Sequence, residues 1–404
     1  MSGRTFEQYF LMEPADVIEY AKARTRFAWD AATMRAGEIG DGNLNYVFRV
    51  WDGAGHSVII KQAGRTARIS EDFVLSPDRN RIESEILILE GKLAPGFVPE
   101  IYFYDTVMAA CAMRDLTGHE IMRAAMIKHE VFPKFAEDIS TFMANTLMGT
   151  TDIVMDHKEK KELQRKFINP ELCEITEDLV YTEPYNNCAG RNNVFPPNAA
   201  FVEKELYRDA ELRREVAKLK TDFLCNAQAL IHGDLHTGSI FITKESMFVI
   251  DPEFAFYGPM GYDIGNVVAN MIFAWCNGDA ENAGAGFLGW VERVIVEVVD
   301  KTMAKLDAYY RENVRDIMMR DDGYREHYLA SVLADTAGAA GLELNRRTVG
   351  MANVKDLTTI ADADKRARAE RLCILCAKRF IKERYNFKNG ADFLNVLRGE
   401  YERA

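Results

Sequence analysis

The sequence predicts an α+β protein. It has a small β-rich lobe with one principal helix over residues 1–113, a hinge at 114–116, and a larger, mainly helical lobe over 117–404. Three observations carry this. Strand-like runs separated by a single helical stripe occupy the stretch from about Ile39 to Met113. After Asp115 apolar residues recur at helical spacing for most of the chain. One short hairpin pattern, Ile240–Ile250, interrupts the helical part just after a His-Gly-Asp loop.

The elements follow in order. The first ~30 residues read as helix, with Val17, Ile18, Tyr20 and Ala21 on one apolar face. Asn45–Trp51 alternates as a strand, and Asp52-Gly53 begins a turn into a second strand, Val58–Lys61. Ser76-Pro77-Asp78 reads as a helix start, because proline fits a first turn, and Ile82, Ile86 and Leu89 make its stripe. Ile101–Tyr104 and Met108–Met113 are two further strands. Leu219, Phe223, Ala227 and Leu230 run at helical spacing into His232, and the pattern is helical again from Val267 to about Arg398. Asn186–Pro197, rich in Asn and Pro, reads as a loop. A cleft between the two lobes is the default place for a ligand.

Composition narrows the function. The chain has 404 residues, 48% hydrophobic, enough for a large core in two lobes. A net charge of −12 argues against a nucleic-acid or anionic-membrane surface, while leaving room for a local positive site. Cys373 and Cys376 form a lone C-x-x-C inside a helical pattern, which reads as buried free thiols rather than a metal or redox pair. The N-terminus lacks a signal-peptide pattern, and no apolar run is long enough to span a bilayer, so a soluble cytosolic protein is expected.

The chemistry gathers in residues 231–253. Asp234, in Ile231-His232-Gly233-Asp234, is an acid in a tight loop, and Gly233 lets the backbone turn sharply before it. A carboxylate so held is what a general base for an alcohol requires. Asp251 and Glu253, in Ile250-Asp251-Pro252-Glu253, stand at i and i+2, which in extended backbone sends both carboxylates to one side. Such a pair suits Mg²⁺, which takes hard oxygen ligands along with phosphate oxygens. Base and metal pair together imply transfer of a phosphoryl group from ATP to a hydroxyl. Lys61 ends a buried strand and needs partners; phosphate oxygens and a helix carboxylate would serve, with Glu83 favoured over Glu85.

Gly40-Asp41-Gly42-Asn43-Leu44-Asn45 precedes a strand and could cover phosphates with backbone N–H groups, or be a plain hairpin turn. It departs from G-x-G-x-x-G at Asn45 and no helix follows, so a dinucleotide fingerprint is disfavoured. Asp263 opens the next helix and is expected to accept backbone N–H bonds there or beneath the catalytic loop. Arg346 and Arg347 follow the small residues Ala337, Gly338, Ala340 and Gly341; adjacent helical side chains diverge by about 100°, so both meet one ligand only near a helix end or irregularity, and taken alone the pair reads first as a solvated face.

Lys61, His232-Gly233-Asp234 and the Asp251/Glu253 pair resemble the aminoglycoside-phosphotransferase and choline-kinase branch of the protein-kinase-like superfamily. Longer strings are similar to one family within it, the S-methyl-5-thioribose kinases: Glu38–Phe48, Asn169-Pro170-Glu171-Leu172-Cys173, Leu230–Ser239, Ile250–Gly261 and Arg346–Gly350. The resemblance implies a bilobal kinase-like fold and phosphorylation of the 1-hydroxyl of 5-methylthioribose with Mg-ATP in methionine salvage, by a homodimer. By position it implies Asp234 as catalytic and substrate-binding acid and Asp251 and Glu253 on the metal. Asn45, Lys61, Glu83 and Pro252 fall on the nucleotide side, with Arg114, Asp115 and Leu116 as the adenine hinge. Arg346 and Arg347 fall in the substrate site. Ser239 stands where wider relatives carry a metal-binding Asn, and is usual for this narrower family. Arg114 replaces an expected Glu, and Asn353 lies where a His is expected. A related kinase for aminoglycosides, choline or homoserine is the second reading.

Overall fold

The computed structural model describes residues 5–39, 45–64, 66–67, 70–74, 76 and 78–404. The chain forms two compact units, Met1–Gly118 with Phe248–Phe254, and His119–Met247 with Ala255–Ala404. Segment 248–254 thus groups with the first unit, although it follows more than a hundred residues of the second.

In the first unit, helix α1 (Pro14–Arg24) precedes strands β1 (Arg35–Glu38), β2 (Asn45–Trp51) and β3 (Ser57–Ala63). A short pair, β4 (Thr66–Ala67) and β5 (Ser70–Val74), leads to helix α2 (Asp78–Leu93), then β6 (Ile101–Asp105) and β7 (Ala110–Met113). The main sheet is antiparallel in the order β1-β2-β3-β7-β6. Helix α1 is shorter than the expected 30-residue stretch, starting at Pro14 and ending at Thr25, whose backbone is extended. It buries Val17, Tyr20 and Ala21 against Phe48, Val50, Val58 and Ile60. Side chains alternate across a strand, so Ile60 in this core puts Lys61 on the other face of β3. There Asn80 of α2 donates Nδ2 to the Lys61 and Ala109 carbonyls, both at 2.8 Å, tying the helix to the sheet.

The second unit is mainly helical, with long helices at Gly261–Ala280, Gly284–Asn313, Asp322–Val349 and Ala363–Lys382. Helices Gly261–Ala280 and Asp322–Val349 approach closely because glycine faces backbone. A Cβ at Gly265 would lie 2.6 Å from Ala340 N and from Thr336 O; helix Asp322–Val349 meets helix Ala363–Lys382 as closely, since a Cβ at Gly341 would lie 2.6 Å from Ala377 O. The run from Leu219 to Leu230 is not one helix. Helix Ala210–Cys225 stops at Asn226, whose φ of −89° and ψ of 83° leave the helical region. Ala229–Ile231 is instead a strand, antiparallel to Phe256–Gly258 with Ile231 opposite Phe256. Both patterns bury Leu230, and a short apolar run does not distinguish them. Residues 187–195 carry no helix or strand. Cys373 and Cys376 are free, buried thiols on helix Ala363–Lys382, with Cys276 Sγ 3.7 Å from Cys373 Sγ. Among the described residues no helix is long and apolar enough to cross a membrane.

Candidate active site

Two clusters of charge, one in each unit, hold the residues singled out from the sequence. In the first unit Lys61 Nζ donates to Glu83 Oε1 at 2.8 Å and to Asp251 Oδ1 at 2.5 Å. Glu85 instead takes Arg81 at 2.6 Å. Asn45 Nδ2 donates to Glu253 Oε2 at 3.0 Å, and Arg79 Nε lies 4.0 Å from the same oxygen. The extended backbone expected across Asp251 and Glu253 is not found. Asp251 has φ +63°, in the left-handed region, and Pro252–Phe254 is a 3₁₀ turn. Asp tolerates that region better than most residues, and Pro252 opens the turn with its preset φ. Lys61 holds Asp251, and Asn45 and Arg79 meet Glu253, so each carboxylate is placed by its own partners rather than by strand geometry.

Three acids here face two cations. Burial pushes the Glu83 carboxyl up to about 8, with Lys61 opposing and Asp251 and Glu253 adding to the rise. Burial raises Glu253 as well, against Lys61. Burial would lower Lys61, but Asp251, Glu83 and Glu253 hold its ammonium above its ordinary value. Among the described residues no group of three or more His, Cys, Asp or Glu side chains is arranged to hold a metal ion by itself.

At 114–116, the Arg114 N–H donates to Glu100 O at 2.9 Å and its guanidinium lies 5.1 Å from the Phe248 ring centre. Asp115 accepts from Arg49 Nε at 2.6 Å and from the Thr117 N–H and hydroxyl, while Leu116 is buried. Gly40–Leu44 and Pro77 lie outside the described residues.

In the second unit the loop before Asp234 is pinned from below. Gly233 has φ +82°, a conformation that favours glycine. The His232 and Gly233 N–H groups donate to Asp263 Oδ2 and Oδ1 at 2.7 and 3.0 Å. Asp263 sits in the first turn of helix Gly261–Ala280, so its role is to hold the loop. Arg346 Nη2 and Arg347 Nη2 both reach Asp234 Oδ1, at 2.5 and 3.4 Å. They belong to the last turn of helix Asp322–Val349, and their length closes the angle between adjacent positions. Buried Glu343 accepts from both Nε atoms, since i+3 and i+4 lie over i on one helix face. Burial would raise the Asp234 carboxyl, but His236, Arg346 and Arg347 hold it well below the usual range. Burial would raise Glu343 too, and the two arginines hold it low. Asn353 Nδ2 donates to the Thr348 and Gly350 carbonyls, closing the chain as it leaves the helix.

Sequence reasoning missed Glu343, Arg79 and His236. Glu343 was findable from its spacing to the arginine pair. His236 stood two residues after the proposed base. Arg79 carried no signal of its own, since its approach to Glu253 spans distant sequence.

Comparison with known proteins gives the chain its family. Residues 36–295 match the model of the phosphotransferase enzyme family. A methylthioribose kinase of Erwinia tasmaniensis is 38% identical over 383 residues, covering 93% of this chain and 94% of the relative. One of Bacillus cereus is 38% identical over 382 residues, covering 94% of each. This chain belongs to the methylthioribose kinase family. A choline kinase structure from Cryptosporidium parvum superimposes with a TM-score of 0.50 at 11% identity, covering 96% of each chain, a likeness of fold.

Proposed function

We propose that the chain is an ATP-dependent kinase that phosphorylates the 1-hydroxyl of 5-methylthioribose, giving 5-methylthioribose 1-phosphate in methionine salvage. The observation that carries the choice of substrate is the near full-length 38% identity to relatives named methylthioribose kinase. The site chemistry is consistent with it. A choline-type cation would meet the guanidinium pair of Arg346 and Arg347, whereas a neutral sugar becoming a phosphate ester meets complementary charge.

In this reading the first unit is the nucleotide-binding lobe and the second the catalytic and substrate-binding lobe. Lys61, held by Glu83, binds ATP phosphate oxygens. Asn45 orients Glu253, backbone at Arg114, Asp115 and Leu116 receives adenine, and Pro252 sets the turn between the two acids. Magnesium fits this cluster: the acids outnumber the cations, and burial raises Glu83 and Glu253. Asp251 and Glu253 would hold it, and it would neutralise phosphate charge when bound. In the second unit Asp234, ionised, accepts the proton of the substrate hydroxyl, and Arg346 and Arg347 offset charge developing on the transferred phosphoryl group. We further assign a homodimer, on family grounds, and a cytoplasmic location, which suits seven free cysteines.

A coupled assay with Mg-ATP and 5-methylthioribose, with ribose and choline as controls, tests the reading. Turnover of methylthioribose with phosphate on O1 is the expected result. Turnover of choline with none of methylthioribose overturns it.

A further inference from the structure

His236 is nearly enclosed beside Asp234, and its two ring nitrogens face different partners. Nδ1 lies 3.1 Å from the Gly238 backbone N–H, which can only donate, so Nδ1 must be the bare acceptor nitrogen. Nδ1 has a single in-plane lone pair, so the Ser239 hydroxyl, 3.2 Å from Nδ1 and also 3.2 Å from the Asp234 carbonyl, turns its proton to that carbonyl. The proton of a neutral ring is then on Nε2, which lies 3.3 Å from Asp234 Oδ2. Burial and the nearby Arg123 and Arg347 charges favour the neutral ring, against the pull of Asp234.

The consequence falls on Asp234. A carboxylate offers about four lone-pair positions. Arg346 and Arg347 occupy those of Oδ1, and the imidazole faces one of Oδ2. One position on Oδ2 is left. We propose that His236 is the positioning residue of the base: a neutral imidazole whose Nδ1 holds the loop through Gly238 and whose Nε2–H fixes the carboxylate so that Oδ2 takes the substrate proton. This rests on the kinase reading above. In the step, the substrate O–H bond breaks and its proton goes to Oδ2. The oxygen electron pair bonds to the γ-phosphorus of ATP, and the bond from that phosphorus to the ADP oxygen breaks. The 3.3 Å contact is long for a hydrogen bond, as catalytic contacts often are before substrate binds.

Two substitutions separate the functions of the ring. His236→Asn keeps an acceptor near Nδ1 but has no donor that reaches Asp234. His236→Gln can place an N–H near Nε2 but loses the acceptor for Gly238. His236→Asn should melt close to the wild type, keep its KM for ATP, and lose about 10- to 100-fold in kcat. His236→Gln should recover most of that kcat while melting a few degrees lower. Wild-type kcat in His236→Asn, or no recovery in His236→Gln, overturns the proposal. Ring ¹⁵N resonances of the full-length protein between pH 6 and 8, assigned by their loss in His236→Asn, give a test that needs no substrate. A bare Nδ1 with protonated Nε2 supports the proposal; protonated Nδ1, or the doubly protonated ring, overturns it. A wild type inactive on methylthioribose would defeat the functional reading and leave the tautomer of the ring, read from its resonances, unaffected.

Discussion

The two charge clusters are built in opposite senses. Around Lys61 the carboxylates Glu83, Asp251 and Glu253 exceed the cations, and two of them are driven toward their protonated forms. Around Asp234 the guanidinium groups of Arg346 and Arg347 meet Asp234 and Glu343, and both carboxyls are held ionised below their ordinary range. The first cluster is short of positive charge and suits an incoming cation. The second is compensated in advance and, in the function proposed above, keeps a base ready. A kinase needs both, because a nucleotide arrives with its metal while the acceptor hydroxyl arrives with nothing.

The contrast can be broken at its strongest point first. Asp234→Asn should lower kcat by about 10²- to 10⁴-fold while ATP affinity, measured by equilibrium binding, stays near wild type. Unchanged turnover would remove Asp234 as the base. Arg346→Ala should cost about 10²- to 10³-fold in kcat, as loss of one preorganised donor does elsewhere. It should also move the Asp234 titration upward, so the acid limb of the pH–rate profile shifts to higher pH. Asn45→Ala should act on the other cluster. By releasing Glu253 it should raise the Mg²⁺ concentration for half-maximal activity by about 10-fold with little change in saturated kcat. A fall in kcat alone would argue that Asn45 does not serve the metal acids.

The smallest effect is on stability. Glu83 binds its proton more tightly in the folded state, about 8 against an ordinary 4.5. Stability of the ligand-free protein should therefore decline as pH rises through that window, the sign that follows when the native state binds more protons than the unfolded one. Thermal melts at pH 6 and pH 8 should show the decline, and Glu83→Gln should flatten it. The same pH dependence of melting in the wild type and the variant would show that Lys61 keeps Glu83 ionised across this window.

Much of this is legible in the sequence because the decisive contacts are local or strongly patterned. β2, β3 and α2 follow from alternation and a helical stripe, and the loop at Asp234 from Gly233. Where sequence pattern misleads, a longer-range partner decides. Leu230 satisfies helical spacing, yet its segment becomes a strand because Phe256–Gly258 is there to pair with it. Asp251 reads as extended backbone, yet side chains reaching it and Glu253 from β2, β3 and α2 accompany a left-handed residue and a 3₁₀ turn. The arginine pair marks the limit of angular arguments on helices, since side-chain length and a shared carboxylate at Glu343 outweigh a nominal divergence.

The first unit also has a history written into its connectivity. As the chain is made from its N-terminus, residues 1–118 emerge first, carrying Lys61 and Glu83 but neither Asp251 nor Glu253. Residues 119–247 must follow before the missing acids appear. Until then a buried lysine has only one of its carboxylate partners, and the nascent lobe waits, electrostatically incomplete, for a seven-residue segment that the ribosome delivers late. A fragment cut at Gly118 would be permanently in that state.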